Sequence, residues 1–587
     1  MLVFTPFSSP HPVRSARSRD RRRAVRSLLA AGAVSALALS AYAAPSFASD
    51  GSQPVAGATG ADGTGADGTG AGASVRLDPR HEEGGAVPQN FVGLSLEWSL
   101  VERYMGPNAR PAFANLLKNL GTGVLRIGGS SQDLMPFVPD ATNTNEVVTP
   151  DDLALIRSTL DATNAGDADT ARPAWGVVLG TAMSPPSDRR PFVSPDHAHT
   201  FVTQGVAPAF SGKAARYVAG IELGNETDLS YGASRYGAYL DDLRTYSARG
   251  VTGPFPVIAP NTSEDILPWQ TIAAGPTRYF WNWPQILDVF APGAKTRAGA
   301  FGAYASDHFY PLARTCNGKP YRCATIPALL SDEHMQSLDY QVYEHAEEAA
   351  RHGLGYRLEE TNTAAGRGAD GVSNVAASAT YALDMMFNAA CPQPPQAPSA
   401  NTACGTGAIG VNLHNAEVRA FFSPEEGNGY YNAVDYDPSP AMGAPTAAPE
   451  YYALLLFSKF AQGTSGLRPV AVSTDDPTAG NQVKAWRVEG SAAERRLFLI
   501  NKSDRPVTLT VDAPGSSALV DRMTPYDPTG AGKTLDAAQV RIDGRQVAAD
   551  GTWPGFDATQ EQIKGDRLTM TLGAGEASVI AIHQHDD

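Results

Sequence analysis

The chain is poor in cysteine, in basic side chains and in long apolar runs, and each shortage removes a class of protein. Four cysteines occur in 587 residues. They fall in two close pairs, Cys316 with Cys323 and Cys391 with Cys404, and neither pair has the Cys-x-x-Cys spacing of a zinc site. Two local disulfides are the expectation, with a four-cysteine zinc site as the alternative. Lys and Arg number 46 against 61 Asp and Glu, a net charge of −15. That balance disfavours nucleic acid and densely sulfated glycans as partners. Beyond the first fifty residues no segment is apolar over the roughly 20 residues that a membrane span needs, so membrane contact is expected to be peripheral at most. No Gly-x-Ser-x-Gly elbow occurs, which argues against a serine hydrolase. No cofactor or metal signature is present. The glycines of residues 51–74 lack the preceding strand and following helix of a nucleotide loop, and read as a linker.

The first fifty residues have a different texture. Arg14, Arg17, Arg19, Arg21, Arg22, Arg23 and Arg26 precede an apolar run from Leu28 to Ala43, followed by Ala41-Tyr42-Ala43 and Ser46-Phe47-Ala48. A basic region, a short apolar core and a small-residue cleavage site describe an export signal over residues 1–48, with paired arginines resembling the twin-arginine type. Without it the net charge falls to −21, and the rest of the chain is expected to be secreted.

From residue 90 onward short apolar strands alternate with longer helical patterns. Strands are expected at Phe91–Leu96, Gly123–Ile127, Trp175–Leu179, Gly220–Leu223, Pro256–Ala259, Ala300–Tyr304 extending to His308, Leu354–Leu358 and Ala408–Leu413. Helices are expected at Pro111–Leu120, Asp152–Ala162, Arg235–Ala248, Ser331–His352, Val372–Ala389 and Glu450–Ala461. Eight strands in this rhythm imply an α/β fold, a (β/α)8 TIM barrel over residues 90–462. After Gly463 the strands are short, alternate in polarity and are separated by Gly, Pro or Asp, the pattern of an antiparallel β-sandwich over residues 463–587. Residues 49–74 form the linker, and 75–89 are expected to add a strand to that sandwich.

Two carboxylates end strands of the barrel pattern. Glu226 follows the fourth in Leu223-Gly224-Asn225-Glu226, and Glu360 follows the seventh in Leu358-Glu359-Glu360-Thr361-Asn362. The C-terminal strand ends of such a barrel form one mouth, where two glutamates can flank a glycosidic bond. One protonates the departing oxygen and the other attacks the sugar carbon, at a separation of roughly 5–5.5 Å when configuration is retained. Glu359 is the rival nucleophile. Strand alternation sends adjacent side chains to opposite faces, so only one of the pair is expected to point into the mouth. Arg126 either orients the glutamates from below or reaches a substrate carboxylate, and His308 is a further support residue.

These residues carry a family resemblance. Gly93-Leu94-Ser95-Leu96-Glu97, Leu125-Arg126-Ile127-Gly128-Gly129-Ser130, Leu223-Gly224-Asn225-Glu226, Asp307-His308-Phe309-Tyr310-Pro311, Glu360-Thr361-Asn362 and Glu450-Tyr451-Tyr452-Ala453 occur in the order seen in clan A glycosidases. In particular the chain resembles glycoside hydrolase family 79, the β-glucuronidase and heparanase family, over roughly residues 75–585. The resemblance implies a secreted retaining glycoside hydrolase acting on β-linked glucuronic acid, with a glucuronide or glucuronic-acid-bearing glycan as its partner and no cofactor. It implies Glu226 as acid/base, Glu360 as nucleophile, Asn225 on the sugar 2-hydroxyl, Glu97 on other ring hydroxyls and Tyr310 beside the nucleophile. Gly429 and Tyr430 fit the position that holds the sugar carboxylate, with Tyr431 one residue out of register. An acidic insertion, Ser423-Pro424-Glu425-Glu426-Gly427-Asn428, departs from the pattern there. The alternatives are another clan A enzyme (arabinofuranosidase, xylosidase or endo-glucanase) and a non-catalytic carbohydrate-binding protein.

Overall fold

A computed structural model describes residues 73–76 and 84–583, except 143–145, 167–171, 186, 188–189, 264–280, 395–402, 417–427, 438, 440–442, 475–481, 490–493, 513 and 516. The export signal, the linker up to residue 72 and the acidic stretch Ser423–Gly427 lie outside these residues.

Nine parallel strand segments form a barrel. In chain order they are Gly93–Glu97, Gly123–Gly128, Trp175–Thr181, Val218–Leu223, Val257–Ile258 with Pro260–Thr262, Tyr304–Phe309, Gly355–Thr361 and Gly410–Asn415. The two short segments around Ala259 make up the fifth strand: Val257–Ile258 pairs with the fourth and Pro260–Thr262 with the sixth, which closes the ring. The strands are buried almost throughout because both faces are covered. On the second strand Leu125 and Ile127 pack outward under the helices, while Val124 joins Val178, Ala219, Ile258, Phe301 and Tyr304 in a plug inside the barrel. Higher up, the inward positions of the same strands are polar, and there the side chains of the candidate site begin.

The outer helices carry local start signals. Thr149 and Asp152 form a reciprocal capping box at Pro150–Thr163, and the Asn282 side chain caps Trp283–Thr296, a helix that the sequence pattern did not suggest. Pro292 and Gly293 inside it read as a helix break in the sequence.

Two further sheets of four or more strands occur among the described residues, antiparallel throughout except that Ala73–Arg76 runs parallel to Val507–Asp512. One has the order Val472–Thr474, Ala73–Arg76, Val507–Asp512, Arg567–Leu572. The other runs Ser465–Val470, Val483–Glu489, Glu494–Asn501, Ala577–His583, Ser517–Tyr526, Gln539–Ile542, with Thr559–Gln562 also pairing to Ser517–Tyr526. Period-two alternation assigns the faces of the larger sheet. Leu497, Leu499, Ile580 and Ile582 meet the smaller sheet, whereas Phe498, Ile500, Ala577 and Val579 join the barrel's helical shell. Phe387, on helix Ala376–Ala390, sits at that joint, with ring centroids 5.4 Å from Trp486, 4.7 Å from Phe498 and 5.0 Å from Phe457. Beside it Lys502 bonds Asp384 and Asp332, each at 2.8 Å.

Both cysteine pairs are disulfides, Cys316–Cys323 and Cys391–Cys404. Among the described residues no helix is long and apolar enough to cross a membrane.

Phe387→Ala opens a void where the barrel shell meets the larger sheet. It should cost about 3–5 kcal/mol, read as a lower denaturant midpoint; an unchanged midpoint would mean the two layers do not share a core.

Candidate active site

The site is built from the inward side chains at the C-terminal ends of the strands. Arg126, fully buried on the second strand, is its centre. Its Nε and Nη2 donate to Glu222 at 2.7 and 2.6 Å, and Nη2 also donates to Asn225 at 2.8 Å. Nη1 donates to Ser95 at 3.1 Å and to Glu360. These contacts use all five donors of a guanidinium, and the paired bonds to Glu222 fix its plane.

Two irregularities in the backbone aim the glutamates. After the fourth strand Gly224 has φ +74°, and a Cβ there would lie 2.4 Å from the Met183 carbonyl. Glu226 follows in the left-handed region, φ 44° and ψ 57°, a conformation that costs a non-glycine residue of order 1 kcal/mol or more. The tight turn carries Asn225 onto Arg126 and leaves the Glu226 side chain 24% exposed at the mouth. On the seventh strand, Leu358 pairs with Asp307 but Glu360 pairs with His308, so two residues oppose one. This bulge suspends strand alternation and turns both Glu359 and Glu360 into the barrel. The expectation that only one of them faces inward is therefore corrected. Glu360 lies in the upper layer, and Glu359 lies below it, against Tyr304 at 2.8 Å.

Glu360 is the more enclosed of the two strand-end glutamates. Tyr310 donates its hydroxyl to Glu360 at 2.7 Å, His414 Nδ1 lies 3.8 Å away and His308 Nδ1 3.9 Å away. His308 Nδ1 is also 3.4 Å from Glu226. One oxygen each of Glu226 and Glu360 and one nitrogen of His308 all lie within 4.8 Å of one another. Arg126 already holds Glu360 with a positive charge, so this trio is a poor cradle for a divalent cation. Burial alone would raise the Glu360 carboxyl, but the positive fields of His414, His308 and Arg126, with the Tyr310 hydrogen bond, hold it well below the usual glutamate range. Burial and the neighbouring Glu222 push Glu359 the other way, to about 8. For His308, the Glu360 and Glu226 carboxylates outweigh burial and raise the imidazole.

Glu97 ends the first strand on the same mouth. It accepts from the Ser130 and Ser131 amides at 3.1 and 2.7 Å and from the Ser131 hydroxyl. Its carboxylate crosses Gly129, φ +68°, where a Cβ would lie 2.5 Å from it. His414 Nε2 is 3.7 Å from Glu97, and His414 Nδ1 is 2.8 Å from the Ser95 hydroxyl. The loop closed by Cys316–Cys323 presents Arg322, which donates to the Tyr310 and Leu312 carbonyls at 2.9 and 3.3 Å.

Tyr430 is not in this group. Its ring lies 5.1 Å from the Arg314 guanidinium, and its amide donates to the Arg367 carbonyl at 2.8 Å. Tyr431 takes the inner position, its hydroxyl 3.5 Å from that of Tyr310 and its ring stacked on Tyr310 at 5.7 Å. Gly429 is buried beside them in the chain. Glu97, Arg126, Asn225, Glu226, His308, Tyr310 and Glu360 are brought together. Ser95, Glu222 and His414 join them without having been singled out from sequence, and Tyr431, the register neighbour of Tyr430, joins in its place. Ser95, Glu222 and His414 were legible as inward positions, two residues from Glu97, Gly220 and Asn412 on their strands.

No protein-family model and no curated protein matches the chain. Solved structures do. A 4-O-α-L-rhamnosyl-β-D-glucuronidase from Fusarium oxysporum 12S superposes with a TM-score of 0.59 at 16% identity, covering 87% of this chain and 99% of that one. A GH51 arabinofuranosidase from Xanthomonas axonopodis pv. citri gives 0.55 at 13% identity, with coverage of 87% and 99%. A family 51 α-L-arabinofuranosidase from Bifidobacterium longum gives 0.51 at 14%, with coverage of 88% and 100%. At these identities the likeness establishes the fold, a TIM barrel with an accompanying antiparallel β part.

Arg126→Met leaves Glu222 and Glu360 buried beside an apolar side chain, and should cost about 3–5 kcal/mol near neutrality. Arg126 helps to depress Glu360, so this stabilisation is present above the ordinary glutamate value of 4.5 and is lost as pH falls. The gap in melting temperature between wild type and variant should therefore shrink in acid. A gap that widens in acid would contradict the charge assignment.

Proposed function

We propose that the chain is an exported retaining glycoside hydrolase that prefers β-linked glucuronic acid. The observation that carries the reading is the approach of Glu226 and Glu360 to within 4.8 Å through one oxygen each. That is near the separation at which the second carboxylate attacks directly and no water fits between. In the first step a Glu360 oxygen bonds to the anomeric carbon as the bond to the leaving oxygen breaks, and Glu226 gives that oxygen its proton. In the second, water attacks the anomeric carbon and yields a proton to Glu226, and the Glu360 carboxylate departs. The unequal surroundings suit these roles: Glu360 is held ionised, while Glu226 sits nearer solvent, where a leaving group and then water can reach it. Asn225 and Glu97 are assigned to ring hydroxyls.

For the sugar carboxylate we assign Tyr431, since the single Tyr310 hydroxyl proton is given to Glu360. Burial raises the Tyr431 hydroxyl far above its usual range, so it remains a neutral donor at any working pH. The rhamnosyl-glucuronidase likeness agrees with a uronic acid substrate. The likeness to two arabinofuranosidases favours an arabinofuranoside as the second reading. Export accords with the two disulfides.

Glu360→Gln should abolish turnover even of aryl glycosides with good leaving groups, whereas Glu226→Gln should keep those and lose natural glycosides. Equal losses on both substrate types for Glu226→Gln would remove it from the acid role.

Hydrogen bonds to a charged group are worth about 1.5–3 kcal/mol. Tyr431→Phe should therefore slow an aryl β-glucuronide by roughly 10- to 150-fold and leave the matching glucoside nearly unchanged. Wild-type hydrolysis of an arabinofuranoside or xyloside as fast as the glucuronide would overturn the sugar assignment and leave the retaining mechanism standing.

A further inference from the structure

Below the nucleophile the barrel encloses one more carboxylate than its cation can serve. Arg126 spends its five donors on Glu222, Asn225, Ser95 and Glu360, and none remains for Glu359. The groups that face Glu359 are Tyr304 from the sixth strand, Glu222 from the fourth, Arg126 from the second, and Arg357 on its own strand. Of these, Tyr304 alone makes a hydrogen bond to it, to Oε1, and Oε2 has no partner. Arg357 is turned to Asn412 and to the Asn90 and Phe91 carbonyls below. Glu359 is fully buried. An ionised carboxylate with an orphaned oxygen in such a place is far costlier than a neutral carboxyl.

We infer that Glu359 is a positioning residue that must stay protonated, because its neutral carboxyl leaves the Arg126 donor to Glu360, and its ionisation draws Arg126 away from the nucleophile. The bulge that turns Glu359 inward thus gives the site an alkaline limit separate from that of the acid/base. Burial and the Glu222 charge place this ionisation near pH 8. The inference rests on Glu360 being the nucleophile of the reaction proposed above.

The test is kcat/KM against pH for an aryl glycoside whose leaving group needs no proton, so that loss of the Glu226 proton does not limit the first step. Wild type should lose about tenfold per pH unit above about pH 8. Glu359→Gln, neutral at every pH, should stay active and flat for at least about one further unit. Tyr304→Phe removes a bond that favours the ionised form and should move the wild-type limb upward. Melting temperature gives a readout that needs no substrate. The folded chain holds this proton between the usual 4.5 and about 8, so the stability it contributes is full in acid and is lost as pH rises through that window. The melting temperature of wild type minus that of Glu359→Gln should fall across it. An alkaline limb at the same pH in wild type and Glu359→Gln would overturn the inference, as would a Glu359→Gln enzyme as dead as Glu360→Gln. A wild type inactive on every glycoside would sink the reading of the reaction instead, while the melting comparison would still decide the proton.

Discussion

A guanidinium sealed inside a barrel has to be met by carboxylates, and carboxylates sealed beside it compete for its donors. Arg126 is that guanidinium, and the upper half of the barrel interior is arranged around the competition. Glu222 takes two donors and fixes the plane. Ser95 and Asn225 take one each, and these come from the first strand and from the turn that also presents Glu226. The remaining donor goes to Glu360. Both strand-end glutamates are thus indexed to one rigid group, which fixes the separation of two side chains from different strands.

The surrounding fold serves that arrangement at a distance. Tyr310 reaches Glu360 from a loop pinned by Arg322 and the Cys316–Cys323 disulfide. Asn362, two residues beyond Glu360, bonds the His414 carbonyl and the buried Glu450. The seventh and eighth strands are thereby tied to helix Pro449–Phe460, and that helix shares aromatic packing with Phe387 and the larger antiparallel sheet. Contiguous packing and hydrogen bonds thus connect the joint to the strand that carries Glu360.

Much of the fold was legible because a two-faced buried strand and an amphipathic helix leave different periods in the sequence. All eight barrel strands lie within a few residues of where their apolar runs place them, and the ends differ because the last residue of several is polar: Glu97, Thr181 and Thr361 extend strands that hydrophobicity alone stops short. Period two also marks Glu222 and His414 as inward. The bulge at Glu359 was not legible, because nothing in Leu358-Glu359-Glu360-Thr361 tells one extra residue from strict alternation. The exchange of Tyr430 for Tyr431 was hidden for a related reason. The segment after the eighth strand has no periodicity, and its register is set by the Arg367 and Arg314 contacts made across the loop.

The central claim is that Glu360 becomes covalently attached to the sugar. A 2-deoxy-2-fluoro glycoside with a good leaving group slows both steps but speeds the first relative to the second, so the intermediate accumulates. Mass spectrometry of the stalled protein, with fragmentation of the peptide holding Leu358-Glu359-Glu360-Thr361, should place one fluorosugar on Glu360. A sugar on Glu359, or steady release of product of inverted configuration with no adduct, would contradict the account.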